Sequence, residues 1–152
     1  MTLPSEPDEL AGVQASIDRW LVHEQAENPA VLGVERDVDG PRSWFVRMRG
    51  EEKDVFTIRF HLRQRTLVYE THFMPAPEEN AAQLYAHLLR RNAKLYGASF
   101  VIGEEDALYL RGQLDNAWIT DAELDRVLGS LYAWVEQFFR PALRIGFASR
   151  IP

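Results

Sequence analysis

Thr66 to Gly97 reads TLVYETHFMPAPEENAAQLYAHLLRRNAKLYG, and this stretch fixes the plan of the fold. It opens as a strand, with Leu67, Tyr69, Thr71 and Phe73 alternating with Val68, Glu70 and His72. It then turns over Met74-Pro75-Ala76-Pro77 and takes up helical spacing. At roughly 100° per residue, Ala81, Leu84, Tyr85, Leu88, Leu89, Leu95 and Tyr96 share one arc. Glu79, Gln83, His87, Arg90, Arg91 and Lys94 share the other. Pro77 suits the first helical position, where a missing N–H costs nothing, and Glu78 and Glu79 suit the positive end of the helix dipole. Gly97 supplies a left-handed stop. The spacing thus predicts a helix from about Pro77 to about Tyr96.

Upstream, three more runs alternate with period two. Leu32 and Val34 alternate with Gly33 and Glu35 before a turn at Asp39-Gly40-Pro41. Trp44, Val46 and Met48 alternate with Phe45, Arg47 and Arg49, closed by Gly50-Glu51-Glu52. Phe56, Ile58, Phe60 and Leu62 alternate with Thr57, Arg59 and His61, closed by Gln64-Arg65. Such runs make an antiparallel sheet with one buried and one wetter face. A slip of one residue would turn an apolar set outward, so keeping the sets in phase fixes the register. Val34–Val46–Ile58–Thr71 is the expected buried row. Glu35–Phe45–Arg59–Glu70 and Gly33–Arg47–Thr57–His72 are the expected rows on the wetter face.

Ahead of the sheet, Leu10, Val13, Ile17, Trp20 and Leu21 recur at helical spacing to about Ala26, where Asn28-Pro29 stops the helix. Beyond Gly97, Ser99–Gly103 and Ala107–Leu114 form a hairpin around Glu104-Glu105-Asp106, with Phe100, Ile102, Leu108 and Leu110 expected inward. A final helix opens with Thr120-Asp121-Ala122-Glu123, a capping box in which Thr120 and Glu123 satisfy free N–H groups reciprocally. Its apolar stripe is Leu124, Val127, Leu128, Leu131, Trp134, Val135 and Phe138, and Pro141 is expected to end or kink it. The expected fold is α+β: helix, four antiparallel strands, helix, two strands, helix, with the helices packed on one face of the sheet. It forms a single domain over 1–152, with residues 1–8 a flexible lead and 141–152 a tail.

A chain of 152 residues buries roughly 70% of its unfolded surface, and 46% hydrophobic with 26% charged residues is an ordinary globular balance. The absence of cysteine excludes disulfides, thiolate metal sites and thiol nucleophiles. No apolar run approaches the ~20 residues that cross a bilayer, and MTLPSEPDELAG has acids where a signal peptide has bases. The expectation is a cytoplasmic protein with no membrane contact. A net charge of -6 without a dense Lys/Arg run argues against nucleic acid.

Catalytic constellations are sparse. There is no G-x-S-x-G elbow and no Gly-rich phosphate loop. His61 and His72 share the wetter face, but the register offsets them by four residues at ~3.3 Å each, too far for one metal ion. His23 and His87 fall on polar helix faces, as solvated side chains. Glu104, Glu105 and Asp106 read as a charged hairpin tip. No catalytic residue, metal or cofactor is expected.

Asn92 breaks the apolar arc of the central helix. It is either a core asparagine bonding loop backbone near the helix end or a polar anchor facing a ligand or second subunit. Arg47, Arg49, Arg59 and Arg111, with Phe45, Tyr109 and Met74, make the wetter face cationic and aromatic. Such a face either pairs internally with Glu35 and Glu70 or receives an acidic peptide or a second protomer. Phe45, Arg47, Arg59, Asn92, Tyr109 and Arg111 are therefore the candidate partner-binding residues. A small-ligand pocket or enzyme site near Asn92, Tyr109 and Arg111 is the alternative. The central helix is apolar over about half its circumference, more than a one-sided helix needs. Phe138 and Phe139 are adjacent and cannot both point straight inward. Both features point to an exposed surface for a client chain or a homodimer.

Three segments resemble the YbjN family in its actinobacterial form: Phe73-Met74-Pro75-Ala76-Pro77-Glu78-Glu79-Asn80, Leu88-Leu89-Arg90-Arg91-Asn92 and Leu108-Tyr109-Leu110-Arg111-Gly112. The resemblance runs from about Leu10 to Phe139. It implies a type III secretion chaperone-like fold and a non-enzymatic bacterial regulator of the sensory-transduction or stress type that binds proteins or peptides. The family defines no catalytic residues, so none is carried over.

Overall fold

The structure, a computed structural model, describes residues 3–37, 39–40 and 42–151. Its elements run α1 (Pro7–Glu27), β1 (Val31–Arg36), β2 (Ser43–Arg49), β3 (Val55–Leu62), β4 (Thr66–Met74), α2 (Ala81–Asn92), β5 (Ser99–Ile102), β6 (Leu108–Asp115) and α3 (Asp121–Gly146). The strands form one antiparallel sheet in the order β1-β2-β3-β4-β6-β5. The late hairpin therefore joins the sheet through its second strand, and the four-residue β5 is left at the edge.

Alternation sets the register as the sequence implies. Val34 lies across from Val46, Val46 from Ile58 and Ile58 from Thr71. On the opposite face Glu35, Phe45, Arg59 and Glu70 stand in a row. His61 is opposite Val68, and His72 is opposite Tyr109 on β6, so the two histidines do not meet.

The inner face holds Trp44, Val46, Ile58, Phe60, Leu67, Tyr69, Phe73 and Leu110, all buried. Helix α1 covers one half: Trp20 meets Phe60 edge-on at 5.8 Å, while the Trp44 indole N–H donates to Asp18 at 2.8 Å. Helix α3 covers the other, with Tyr132 against Phe56, Phe138 against Phe100 and Phe139 against Phe73, each at 5.9 Å between rings. Both adjacent phenylalanines thus find an aromatic partner in the sheet, so neither supplies the apolar surplus expected of them. Helix α2 packs on α3 and runs along the β5 edge, not over the sheet face.

Four boundaries differ from expectation, each for a tertiary reason. Helix α1 begins at Pro7, with Asp8 and Glu9 in its first turn, and the Ser5 amide donates to the Gln64 carbonyl at 2.7 Å. The lead is thus shorter than residues 1–8. Helix α2 starts at Ala81, because the Glu78 and Glu79 amides go to the Gly146 carbonyl at 3.0 and 3.1 Å and Asn80 turns left-handed at φ 55°. It stops at Asn92, whose side chain is drawn onto β5, and the left-handed Gly97 (φ 82°) follows a short turn. Helix α3 continues through Pro141 to Gly146, so residues 141–146 are not a tail. Gln137, whose carbonyl loses the proline N–H, is exposed, and solvent can take its place. Met1, Thr2, Pro41 of the expected turn and Pro152 of the tail lie outside the described residues.

The capping box is half made. Thr120 Oγ1 accepts the Glu123 amide at 3.1 Å, but the Glu123 carboxylate takes the Arg126 guanidinium instead of reaching back. Thr120→Ala is expected to lower stability by ~0.5–2 kcal/mol. A denaturant midpoint equal to the wild type would mean that the cap contributes nothing.

Candidate functional site

Among the described residues no helix covers the outer face of the sheet, and strand parity brings most of the candidate residues onto it. Arg59 lies between Phe45 on β2 and Glu70 on β4. Arg47 lies between Gly33 and Thr57. Arg111 lies across from Glu70 on the other side. Glu70 is consequently shared, at 3.7 Å from Arg59 and 4.0 Å from Arg111. Both distances exceed hydrogen-bond length. Tyr109 is fixed in place by its neighbours. Its ring meets His72 edge-on at 5.4 Å and lies so close over Gly103 that a Cβ there would overlap it.

Arg59, Glu70, Tyr109 and Arg111 border a cleft of about 410 Å³, lined also by His61 and Arg63, with buried Val68 in its wall and Val101, Ile102, Gly103 and Glu104 along the β5 side, whereas Phe45 and Arg47 lie apart in a depression with Gly33, Glu35 and Thr57. Ser43 Oγ and His61 Nδ1 are 2.6 Å apart at its β2 side. Burial, and then the charges of Arg59 and Arg63, push the His61 imidazolium below its usual range. Sequence reading did not single out Arg63, although it follows Arg59 and His61 in the same parity.

Asn92 is elsewhere. Its Nδ2 donates to the Phe100 carbonyl at 3.2 Å and its Oδ1 accepts the Phe100 amide at 2.7 Å. The amide is thus a core asparagine that closes the outward backbone groups of an edge strand, and it does not converge with Tyr109 and Arg111.

A second depression, of about 370 Å³, runs between α2 and the β5 edge and is lined by Tyr85, Leu88, Leu89, Phe100, Val101, Ile102 and Leu108. Leu89 is 65% exposed and Ile102 53%. Ile102 was expected inward; as the last residue of the edge strand it instead stands open beside Leu89. The excess apolar arc of α2 was the sequence signal for this groove.

Two titratable groups depart from expectation. His87 is half-buried, and its Nε2 is screened without a hydrogen bond among the described residues. Burial, followed by Arg91 and Arg90, lowers its pKa, so it is not the freely solvated side chain its helix position suggested. Lys53, in the β2–β3 turn, donates to the His72 and Phe73 carbonyls at 2.8 Å each, with the Phe139 ring 5.3 Å away. Burial lowers its pKa from 10.5 to about 8, although both carbonyls and the ring favour the charged form. It anchors a turn that Glu136 also grips by accepting the Glu51 and Glu52 amides.

Between these two pKa values the unfolded chain holds more protons than the folded one. Stability from this group therefore rises with pH. The window to read is about 8 to 10, below the point where Tyr69, raised by burial above its ordinary 10.0, acts the other way. Lys53→Met is expected to flatten the rise in denaturant midpoint across that window. Parallel curves for the two proteins would contradict it.

Among the described residues no three His, Asp or Glu side chains gather at metal-ligand spacing, and no helix is long and apolar enough to cross a membrane.

The fold and the sequence both have relatives. A chain of the ExsC–ExsE complex superposes with a TM-score of 0.56 at 17% identity, covering 84% of this chain and 93% of that one. The Yersinia pestis type III secretion chaperone SycH, solved with a fragment of YscM2, gives 0.52 at 16%, covering 81% and 96%. The fold is thus that of type III secretion chaperones. In sequence, an "Uncharacterized protein" of Mycobacterium tuberculosis is 32% identical over 111 residues, and one of Mycobacterium leprae is 30% identical over 113. These stretches take in 73% and 74% of this chain and 61% of each relative, so the chain spans less than two thirds of their length. Residues 15–144 match the family described as "Putative bacterial sensory transduction regulator", and the chain belongs to that family, YbjN.

Proposed function

We propose that this protein is a non-enzymatic binding module that holds a protein or peptide client in a regulatory or chaperone-like role in the bacterial cytoplasm. The observation that carries the reading is the apolar groove between α2 and β5, with Leu89 and Ile102 open to solvent. Covering an exposed leucine or isoleucine is worth ~1.5–3 kcal/mol, so a few such groups support a specific complex. Asn92 contributes by closing the edge at Phe100, which directs a partner to the side-chain groove and away from open strand pairing. The two structural relatives support the reading, since each was solved together with another protein.

Leu89→Glu tests it. The side chain is exposed, so thermal stability should stay unchanged, while a charge at the groove removes the complex. Immobilised wild-type protein is expected to retain a discrete protein from host extract that the variant loses. Identical retention by both would overturn the assignment of the groove. Light scattering identifies the case in which the occupant is a second copy: mass then rises with concentration for the wild type alone.

A further inference from the structure

The apolar groove and the arginine cleft are two parts of one surface. Val101 and Ile102 line both, so the single strand β5 is the wall between them. The cleft side is a patch of positive charge on a chain whose net charge is -6. It holds Arg59, Arg63 and Arg111 against Glu70 and Glu104. Glu70 is too far from Arg59 and Arg111 for a hydrogen bond, which leaves guanidinium donors uncommitted. Arg63 has no ion pair among the described residues.

We infer that the client segment is acidic as well as apolar: its hydrophobic side chains fill the groove between α2 and β5, and a nearby carboxylate meets the arginines that line the cleft, Arg59, Arg63 and Arg111. This rests on the client-binding reading above and adds the chemistry of the client. Arginine presents paired donors that match a carboxylate, and the charge excess rewards an acid over an amide. Strands are ~4.8 Å apart and an extended chain covers ~3.3 Å per residue. A segment crossing β5 therefore needs about two to four residues between its apolar anchor and its acid. A long polyanion such as nucleic acid fits poorly, because most of the molecule repels it.

Selection of short random peptides on the immobilised full chain at physiological salt tests the inference. The expected sequences place Asp or Glu a few residues from Leu, Ile or Phe. A synthetic peptide made from them should bind the Arg63→Glu, Arg111→Glu double variant at least ~10-fold more weakly, the loss expected for severed charge pairs. Changing its acid to the amide should weaken binding to the wild type comparably, and Arg111→Lys, which keeps the charge and loses the paired donors, should fall between Arg111 and Arg111→Glu. Both arginines are exposed, and an unchanged thermal midpoint confirms that the double variant folds. Selected peptides without acids, equal binding to the double variant, or no enrichment over the starting library would each overturn the inference. Those results leave Leu89-dependent retention intact. Loss of that retention alone would instead count against the client-binding reading.

Discussion

Replacing Gly112 with alanine is expected to lower the unfolding free energy by about 3 kcal/mol. Gly112 stands on β6 across from Tyr69, and a Cβ there would overlap the Gly97 carbonyl oxygen. It would also lie 2.6 Å from Tyr69 Cε2 and 2.9 Å from the Tyr69 hydroxyl. The Tyr69 ring cannot swing aside, because it is 2% exposed and its hydroxyl donates to the same Gly97 carbonyl at 2.6 Å. Gly97 itself holds φ 82°, a left-handed conformation that aims this carbonyl inward and that other residues adopt with strain. An added methyl must therefore sever the tyrosine bond, part β4 from β6, or shift the turn. Overpacking costs 1–3 kcal/mol and a lost buried hydrogen bond about 1 more. Denaturant unfolding measures the sum. A midpoint within error of the wild type would mean that β6 does not lie against the turn in this way.

Asn92→Ala is expected to cost about 2–4 kcal/mol, since it strips partners from both the amide and the carbonyl of Phe100, at ~1–3 kcal/mol for each buried group left unpaired. Asn92→Asp keeps the acceptor for the Phe100 amide and loses the donor to its carbonyl, so an intermediate loss is expected. Hydrogen exchange gives a local readout, with the Phe100 amide exchanging faster in the alanine variant. A side chain held ready for a ligand would behave differently: its removal would leave both stability and Phe100 exchange unchanged. That result would restore the ligand-facing role for Asn92.

Sheet register was legible because it follows from two local facts, period-two alternation and short turns. Together they put Arg59 beside Glu70 and kept His61 from His72. The wetter-face residues were legible for the same reason, so Phe45, Arg47, Arg59, Tyr109 and Arg111 could be named together. Strand order was not legible. Both arms of the second hairpin alternate, and only tertiary pairing of β6 with β4 leaves β5 at the edge and Ile102 open. The start of α2 was misread because Pro77-Glu78-Glu79 has the local chemistry of a helix start. The Gly146 carbonyl takes those amides from across the molecule. Propensity likewise failed at Pro141, where burial of Ala142 and Gly146 holds the last turns of α3 in place. The groove needed both corrections before it could be seen: an edge strand on one side and a short helix on the other.

The claim that the α2–β5 groove is the binding surface is tested most directly by photo-crosslinking in the native host, with benzoylphenylalanine in place of Ile102. The account predicts a discrete crosslinked species on illumination. That species should be absent when the probe replaces Ala15, an exposed residue of α1, and should vanish when Leu89→Glu is added to the Ile102 probe. The same bands from both probe positions, or none from the groove, would contradict the account.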